Sequence, residues 1–202
     1  MPVYYHNPKG RSGMDFSELA EKRHSCRAFD PDRPVPEELI TRCLRAAQLA
    51  PSACNAQPWR FVVITDAEER KLICDEALGG MVPNRWAADA PVLVVLAAVR
   101  KLGTASLGEG VKNIPYHLLD CGMAGEHLVL KATELGLGSC WLGWFREKPL
   151  RRLIGAPGNW KLLALIALGW PAESWEPGQR SRVELAKAAF RGDAGTPWNE
   201  RG

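Results

Sequence analysis

Apolar positions along this chain change period several times, and each change marks a predicted element. Phe16, Leu19 and Ala20 share one face of a short helix, which Asp15 and Glu18 open as a variant of the capping box. Pro36 starts a second helix, where Leu39, Ile40, Cys43, Leu44 and Ala47 recur at helical spacing until Pro51 stops it. Phe61 to Thr65 reads as a strand, and Asp66 with Glu69 caps a helix running to Gly79-Gly80. Val92 to Val99 is apolar throughout, which predicts a strand buried on both faces.

Residues 100–114 form a Gly-rich loop, and the segment 79–90 carries no pattern that places it. Pro115 to Leu135 predicts a long helix closed by Gly136, apolar around most of its circumference and therefore central. Its Gly122, Ala124 and Gly125 would let another helix approach closely, either across a subunit interface or in a tight intrachain crossing. Ser139 to Phe145 reads as a strand, Glu147 to Ile154 as a short helix, and Leu162 to Leu168 as a second buried strand. Residues 1–13 lack periodicity and read as an extended arm. The tail from Trp170 is polar and Pro/Gly-punctuated, with a helical patch around Val183 to Phe190. Helices and strands mix without strict alternation, which predicts an α+β fold. With no repeat and no second domain, 1–202 reads as one domain.

Composition narrows the function classes. At 202 residues, 46% of them hydrophobic and 24% charged, the chain can bury a proper core. A net charge of +3, from 26 Lys and Arg interspersed with 23 Asp and Glu, argues against a nucleic-acid partner. No apolar run reaches the length of a membrane span, and the N-terminus lacks the order of a signal peptide, so no membrane partner is expected. Cysteines at 26, 43, 54, 74, 121 and 140 contain no Cys-x-x-Cys pair and read as reduced thiols of a cytoplasmic protein.

Several familiar chemistries fail on spacing. Gly136-Leu-Gly138 would need its third glycine at 141 to open a dinucleotide fingerprint, but that glycine falls at 143. Glu109 stands where a P-loop after Gly103-Thr-Ala-Ser-Leu-Gly108 would need lysine. The histidines at 6, 24, 117 and 127 have no metal-ligand spacing, and there is no Gly-x-Ser-x-Gly elbow. Cys26 lies between Arg23 and Arg27, which would favour its thiolate, but no paired base accompanies it.

Two segments remain. Ala50-Pro-Ser-Ala-Cys-Asn-Ala-Gln-Pro-Trp59 holds Ser52, Asn55 and Gln57 between two prolines that stiffen the backbone and withhold N–H donors. It is either a turn whose polar side chains satisfy themselves or a site for a flat, polar-edged ligand. Arg23-His-Ser-Cys-Arg27 groups two guanidiniums, whose planar forks suit phosphate, although a solvated basic patch has the same composition. A second basic pair is Arg180-Ser-Arg182. One ligand with a phosphate, a polyol chain and a flat heterocycle would use both segments, and flavin mononucleotide (FMN) has those three parts.

The chain resembles the nitroreductase family of FMN-dependent oxidoreductases. The resemblance is carried in order by Arg23-His-Ser-Cys-Arg-Ala-Phe29, by the 50–59 segment, by Asp120 through the long helix into Leu135-Gly-Leu-Gly-Ser-Cys-Trp-Leu-Gly143, and by Leu168-Gly-Trp-Pro171 with the basic residues after it. It implies a mixed or antiparallel central sheet flanked by helices, and a homodimer with the long helix at its interface. The tail 171–202 would then pack on the partner subunit. It further implies that Arg23, Ser25, Arg27 and one or both of Arg180 and Arg182 hold the phosphate and ribityl chain, with His24 contributing through its backbone. Pro51, Ser52, Ala53, Asn55 and Gln57 would meet the ring and ribityl, and Trp141, Leu142 and Gly143 would lie near flavin N5. The implied reaction passes a hydride from NADH or NADPH, through FMN, to a small electron-poor acceptor such as a nitroaromatic or quinone. The same scaffold also serves dehalogenation, dehydrogenation and flavin fragmentation, and a flavin-binding redox sensor with little turnover is the reading from another class.

Overall fold

The computed structural model describes residues 14–79, 84–99 and 114–198. The predicted arm, the Gly-rich loop up to residue 113 and residues 80–83 lie outside these described residues.

Four strands form the sheet: β1 (Trp59–Ile64), β2 (Val92–Val99), β3 (Gly138–Leu142) and β4 (Trp160–Gly169), in the spatial order β1-β2-β4-β3 with every neighbouring pair antiparallel. The central strands are apolar throughout in β2 and from Leu162 onward in β4, where helices cover both faces of the sheet. Along β2, Leu93, Val95 and Ala97 enter one core beside Ile73, Cys74 and Leu150, while Val92 and Val94 enter the other beside Ile40, Cys43, Leu128 and Val129. The first core is closed by α3 (Ala67–Glu76) and α5 (Glu147–Leu153), the second by α2 (Glu37–Gln48) and α4 (Tyr116–Glu134). Between Leu96 and Ala97 the register shifts by one, because Leu163 is left unpaired as a bulge in β4.

The helix ends follow the local chemistry. Asp15 Oδ1 accepts the Glu18 N–H at the start of α1 (Phe16–Lys22), and Asp66 Oδ1 accepts the Glu69 N–H at the start of α3, both at 2.9 Å. Helix α4 closes with Gly136 at φ 78°, so that the Leu137 and Gly136 N–H groups bond the Ala132 and Thr133 carbonyls.

Some expectations need correction. The helix expected over Val183 to Phe190 is only one turn, α6 (Leu185–Ala188), because Ala189 turns extended and begins a small hairpin. Phe190 pairs there with Pro197, the Trp198 N–H bonds the Ala189 carbonyl, and the Arg191 guanidinium lies 4.4 Å from the Trp198 ring centre. The strand expected to run to Phe145 stops at Leu142. Gly125 admits no second helix, since its open side is filled by the Trp141 indole. Part of the patternless 79–90 segment is a 3-10 turn over Arg85–Asp89.

Candidate functional site

Helix α4 is the rod on which the predicted site residues are indexed. Near its N-terminus the carboxylate of Asp120, only 3% exposed, accepts the Ala53 N–H at 3.0 Å and so ties down the 51–57 loop. Five residues on, Gly125 receives the Trp141 side chain from β3, and Glu126 lies 3.9 Å from Arg23 Nε. A rise of 1.5 Å per residue places these attachments within about 9 Å along one axis.

The basic segment reaches the sheet through backbone pairing. Ser25 forms a parallel bridge with Ser139 on β3, and the Cys26 N–H bonds the Ser139 carbonyl at 2.9 Å. This sets Arg23, Ser25 and Arg27 along the outer edge of β3, the strand that leads into Trp141, Leu142 and Gly143. Trp141 turns its ring onto α4, and Leu142 enters the core. Gly143 is exposed, with nothing within 4 Å of where a Cβ would stand. What this corner offers outward is therefore backbone and two guanidiniums. His24 is half-buried, with Nδ1 3.0 Å from the Lys22 carbonyl and its ring steeply inclined to that of Trp175.

The arginines' electrostatic effect falls on a different thiol from the one expected. Arg27 and Arg23 favour the thiolate of Cys140, yet burial outweighs them and holds its pKa above the ordinary thiol range. Cys26 is also pushed up, chiefly by burial, so the thiolate considered at Cys26 is not favoured. Among the six cysteines only Cys54 is exposed.

The 51–57 loop carries backbone strain. Cys54, Asn55 and Gln57 have φ of 51°, 52° and 45°, left-handed values that cost a non-glycine residue about 1–2 kcal/mol each. Internal bonds offset part of that cost. Ser52 Oγ accepts the Gln57 N–H at 3.1 Å, and Gln57 Nε2 donates to Asn55 Oδ1 at 2.9 Å. The self-satisfied turn is thus present, while Pro51, Asn55 and Gln57 remain exposed for further contacts.

The two late arginines separate in role. Arg180 donates to the carbonyls of Ala20, Glu21 and Arg23 at 3.2, 2.5 and 2.7 Å, latching the tail onto the C-terminus of α1. Arg182 is exposed and donates only to its neighbour's carbonyl, Ser181 O, among the described residues. The structure thus brings Arg23, Ser25, Arg27, Arg180 and the 141–143 backbone into one neighbourhood. No hydrogen bond among the described residues joins that neighbourhood directly to the 51–57 loop, which meets it through α4. Asp120 had no individual role in the sequence reading. Its signal was a lone carboxylate in an otherwise apolar helical stretch, a residue that burial makes expensive unless it has a partner.

Comparison with known proteins gives the chain's family. The model of the nitroreductase family matches residues 20–170. An Archaeoglobus fulgidus protein named for NADH dehydrogenase or NAD(P)H nitroreductase activity is 38% identical over 158 residues, which span 75% of this chain and 82% of that protein. The 5,6-dimethylbenzimidazole synthase of Rhodospirillum rubrum is 30% identical over 191 residues, spanning 83% and 86%. A solved oxidoreductase containing FMN superposes with a TM-score of 0.73 at 29% identity, covering 88% of this chain and 92% of its own. By its matched span and by these relatives, the chain belongs to the nitroreductase family.

Proposed function

We propose that the protein is an FMN-dependent oxidoreductase that works as a homodimer. The observation that carries this reading is the Ser25–Ser139 bridge, which seats two guanidiniums beside the exposed backbone at Gly143. Arg23, Ser25, Arg27 and Arg182 would hold the phosphate and ribityl chain, with His24 contributing through its backbone. Arg180 holds the Arg23 backbone in place. Pro51, Ser52, Ala53, Asn55 and Gln57 would border the ring, and the Trp141, Leu142 and Gly143 backbone would lie along its reactive edge.

When bound, FMN supplies two-electron chemistry, accepting a hydride from NADH or NADPH and passing it to an electron-poor acceptor such as a nitroaromatic or quinone. The residues fit that group, with planar donor forks for phosphate and a rigid loop of neutral carboxamides for a flat ring. The chain's part is to bind, orient and shield, a task that needs no acid–base dyad.

The second copy is argued from α4. Leu119, Gly122, Met123 and Glu126 fall at i, i+3, i+4 and i+7, and all are exposed on a helix whose opposite face, with Cys121, Ala124, Leu128 and Ala132, is buried. Leu119 is 56% exposed, and Val183, Leu185, Phe190 and Trp198 add exposed apolar surface along the tail. A partner packed on both surfaces would also cover the open side of the flavin site. No helix among the described residues is long and apolar enough to cross a membrane.

The test is the visible spectrum of the protein mixed with FMN. Flavin bands should stay with the protein through gel filtration, bleach on anaerobic addition of NADPH or NADH, and return on addition of a nitroaromatic. A colourless protein that takes up no FMN would refute the reading. Bleaching without reoxidation by any nitroaromatic or quinone would move the assignment toward a different acceptor reaction, as the benzimidazole synthase relative illustrates.

A further inference from the structure

The loop bordering the proposed ring site is shaped by its own bonds but placed by a single residue elsewhere in the sequence. Asn55 N–H bonds Ser52 O, Ala56 N–H bonds Ala53 O, and Gln57 N–H bonds Ser52 Oγ. These bonds close the turn, yet they would survive if the whole loop pivoted. Among the described residues, one hydrogen bond ties the 51–57 loop to a sequence-distant element, the Ala53 N–H to Asp120 Oδ1.

The geometry explains why an acceptor is needed there. Ala53 begins a 3-10 turn, and the first N–H groups of such a turn have no partner within it. Ser52, the residue before the turn, makes no side-chain cap to it, and its Oγ accepts the Gln57 N–H instead. Asp120 performs the capping from 67 residues away, with a carboxylate that is buried in α4. A charged acceptor strengthens the bond, and burial protects it from water.

We propose that Asp120 is the positioning residue of the ring-facing loop, capping the Ala53 turn from helix α4 so that Asn55 and Gln57 are held where the flavin would meet them. The residue acts through the loop and has no assigned contact with cofactor or substrate. Its bearing on flavin binding rests on the function proposed above, whereas its anchoring of the loop does not.

Cys54 lies inside this loop and is the one exposed cysteine of six, so its alkylation by N-ethylmaleimide reports the loop's conformation with no flavin present. Four proteins are compared: wild type, Asp120→Ala, Asp120→Asn and Ala53→Pro. Asparagine keeps an acceptor oxygen. Proline removes the donor at a position where it is tolerated, since Ser52 before it is extended (φ −148°, ψ 151°). In the apoprotein, Asp120→Ala and Ala53→Pro should each change the Cys54 alkylation rate about tenfold, and Asp120→Asn should stay close to wild type. The same two variants should weaken FMN binding by about tenfold, the loss expected for one charge-assisted hydrogen bond, and asparagine should rescue it.

If Asp120→Ala does not fold, Ala53→Pro decides the matter alone. Wild type that binds FMN, beside Ala53→Pro with unchanged alkylation and affinity, overturns the assignment. Wild type that does not bind FMN overturns the flavin reading, and the apoprotein rates still decide whether Asp120 anchors the loop.

Discussion

Gly125→Ala should destabilise the protein although alanine is the better helix former, and the conflict can be worked from the structure. A Cβ at this position would overlap Trp141 Cη2, its nearest neighbour, and would lie 2.6 Å from Trp141 Cζ2 and 3.2 Å from Leu96 Cδ2. Carbon atoms pack at about 3.5–4.0 Å, so the indole must retreat by about 1.5 Å or more. The space behind it is occupied, because Trp141 packs into the clusters holding Leu96, Ala124, Leu128 and Ile166. Overpacking of this kind costs about 1–3 kcal/mol, against a helix-propensity gain of about 1 kcal/mol. An overlap this close belongs at the upper end of that cost, so the net expectation is a loss of about 2 kcal/mol, read from urea denaturation of the apoprotein as a lower midpoint at constant slope. The cause is isolated by repeating the substitution in a Trp141→Ala background. There the clash is gone and Gly125→Ala should become neutral or stabilising, giving a coupling of about 1–3 kcal/mol. A single variant as stable as wild type, or an equal loss in both backgrounds, would show that Gly125 is not kept small by Trp141.

Arg180→Gln should release the tail from α1 and lower stability by about 1–3 kcal/mol, because three carbonyls lose their charged donor. Trypsin should then cut near Lys187 and Arg191 faster than in wild type, and an unchanged cleavage rate would count against the latch. Met123→Glu with Leu119→Glu should convert a dimer to a monomer in sedimentation velocity, since two carboxylates would enter the proposed apolar interface of α4. Sedimentation unchanged from wild type would refute that interface. Burial raises the thiols of Cys43 and Cys74 to about 11 and that of Cys121 to about 12. The unfolded chain therefore releases these protons first, so their contribution is fully present below about pH 9 and is lost as pH rises toward 11–12. Urea midpoints measured from pH 8 to 10.5 should fall, and replacing Cys121 with Ser should flatten that fall. A pH-independent midpoint would refute the burial assignment.

Much of this protein was determined locally, and those parts were legible in the chain. The caps at Asp15 and Asp66, the closure of α4 at Gly136 and the two-sided burial of Val92 to Val99 each follow from residues within a few positions of one another. The blocks at Arg23–Arg27 and Pro51–Gln57 could also be picked out, because grouped guanidiniums and proline-bracketed carboxamides are local compositions. The tail was misjudged for the complementary reason. Leu185 to Ala188 has helical propensity, but pairing between Phe190 and Pro197 takes the backbone extended at Ala189, and pairing is not a property of one segment.

Only the tertiary structure decided how these blocks meet. Nothing local to Arg180 says that its donors go to carbonyls 157 to 160 residues away, leaving Arg182 as the freer cation. Nothing local to Gly125 distinguishes a helix crossing from a tryptophan socket. The thiol that Arg23 and Arg27 act on is Cys140, brought near by the Ser25–Ser139 bridge and not by sequence. Sequence spacing determines periodicity, caps and composition because these act over a turn or a strand. Distances across the fold are set by which apolar faces pack together, and the sites of Asp120 and Arg180 came into view only once those faces had met.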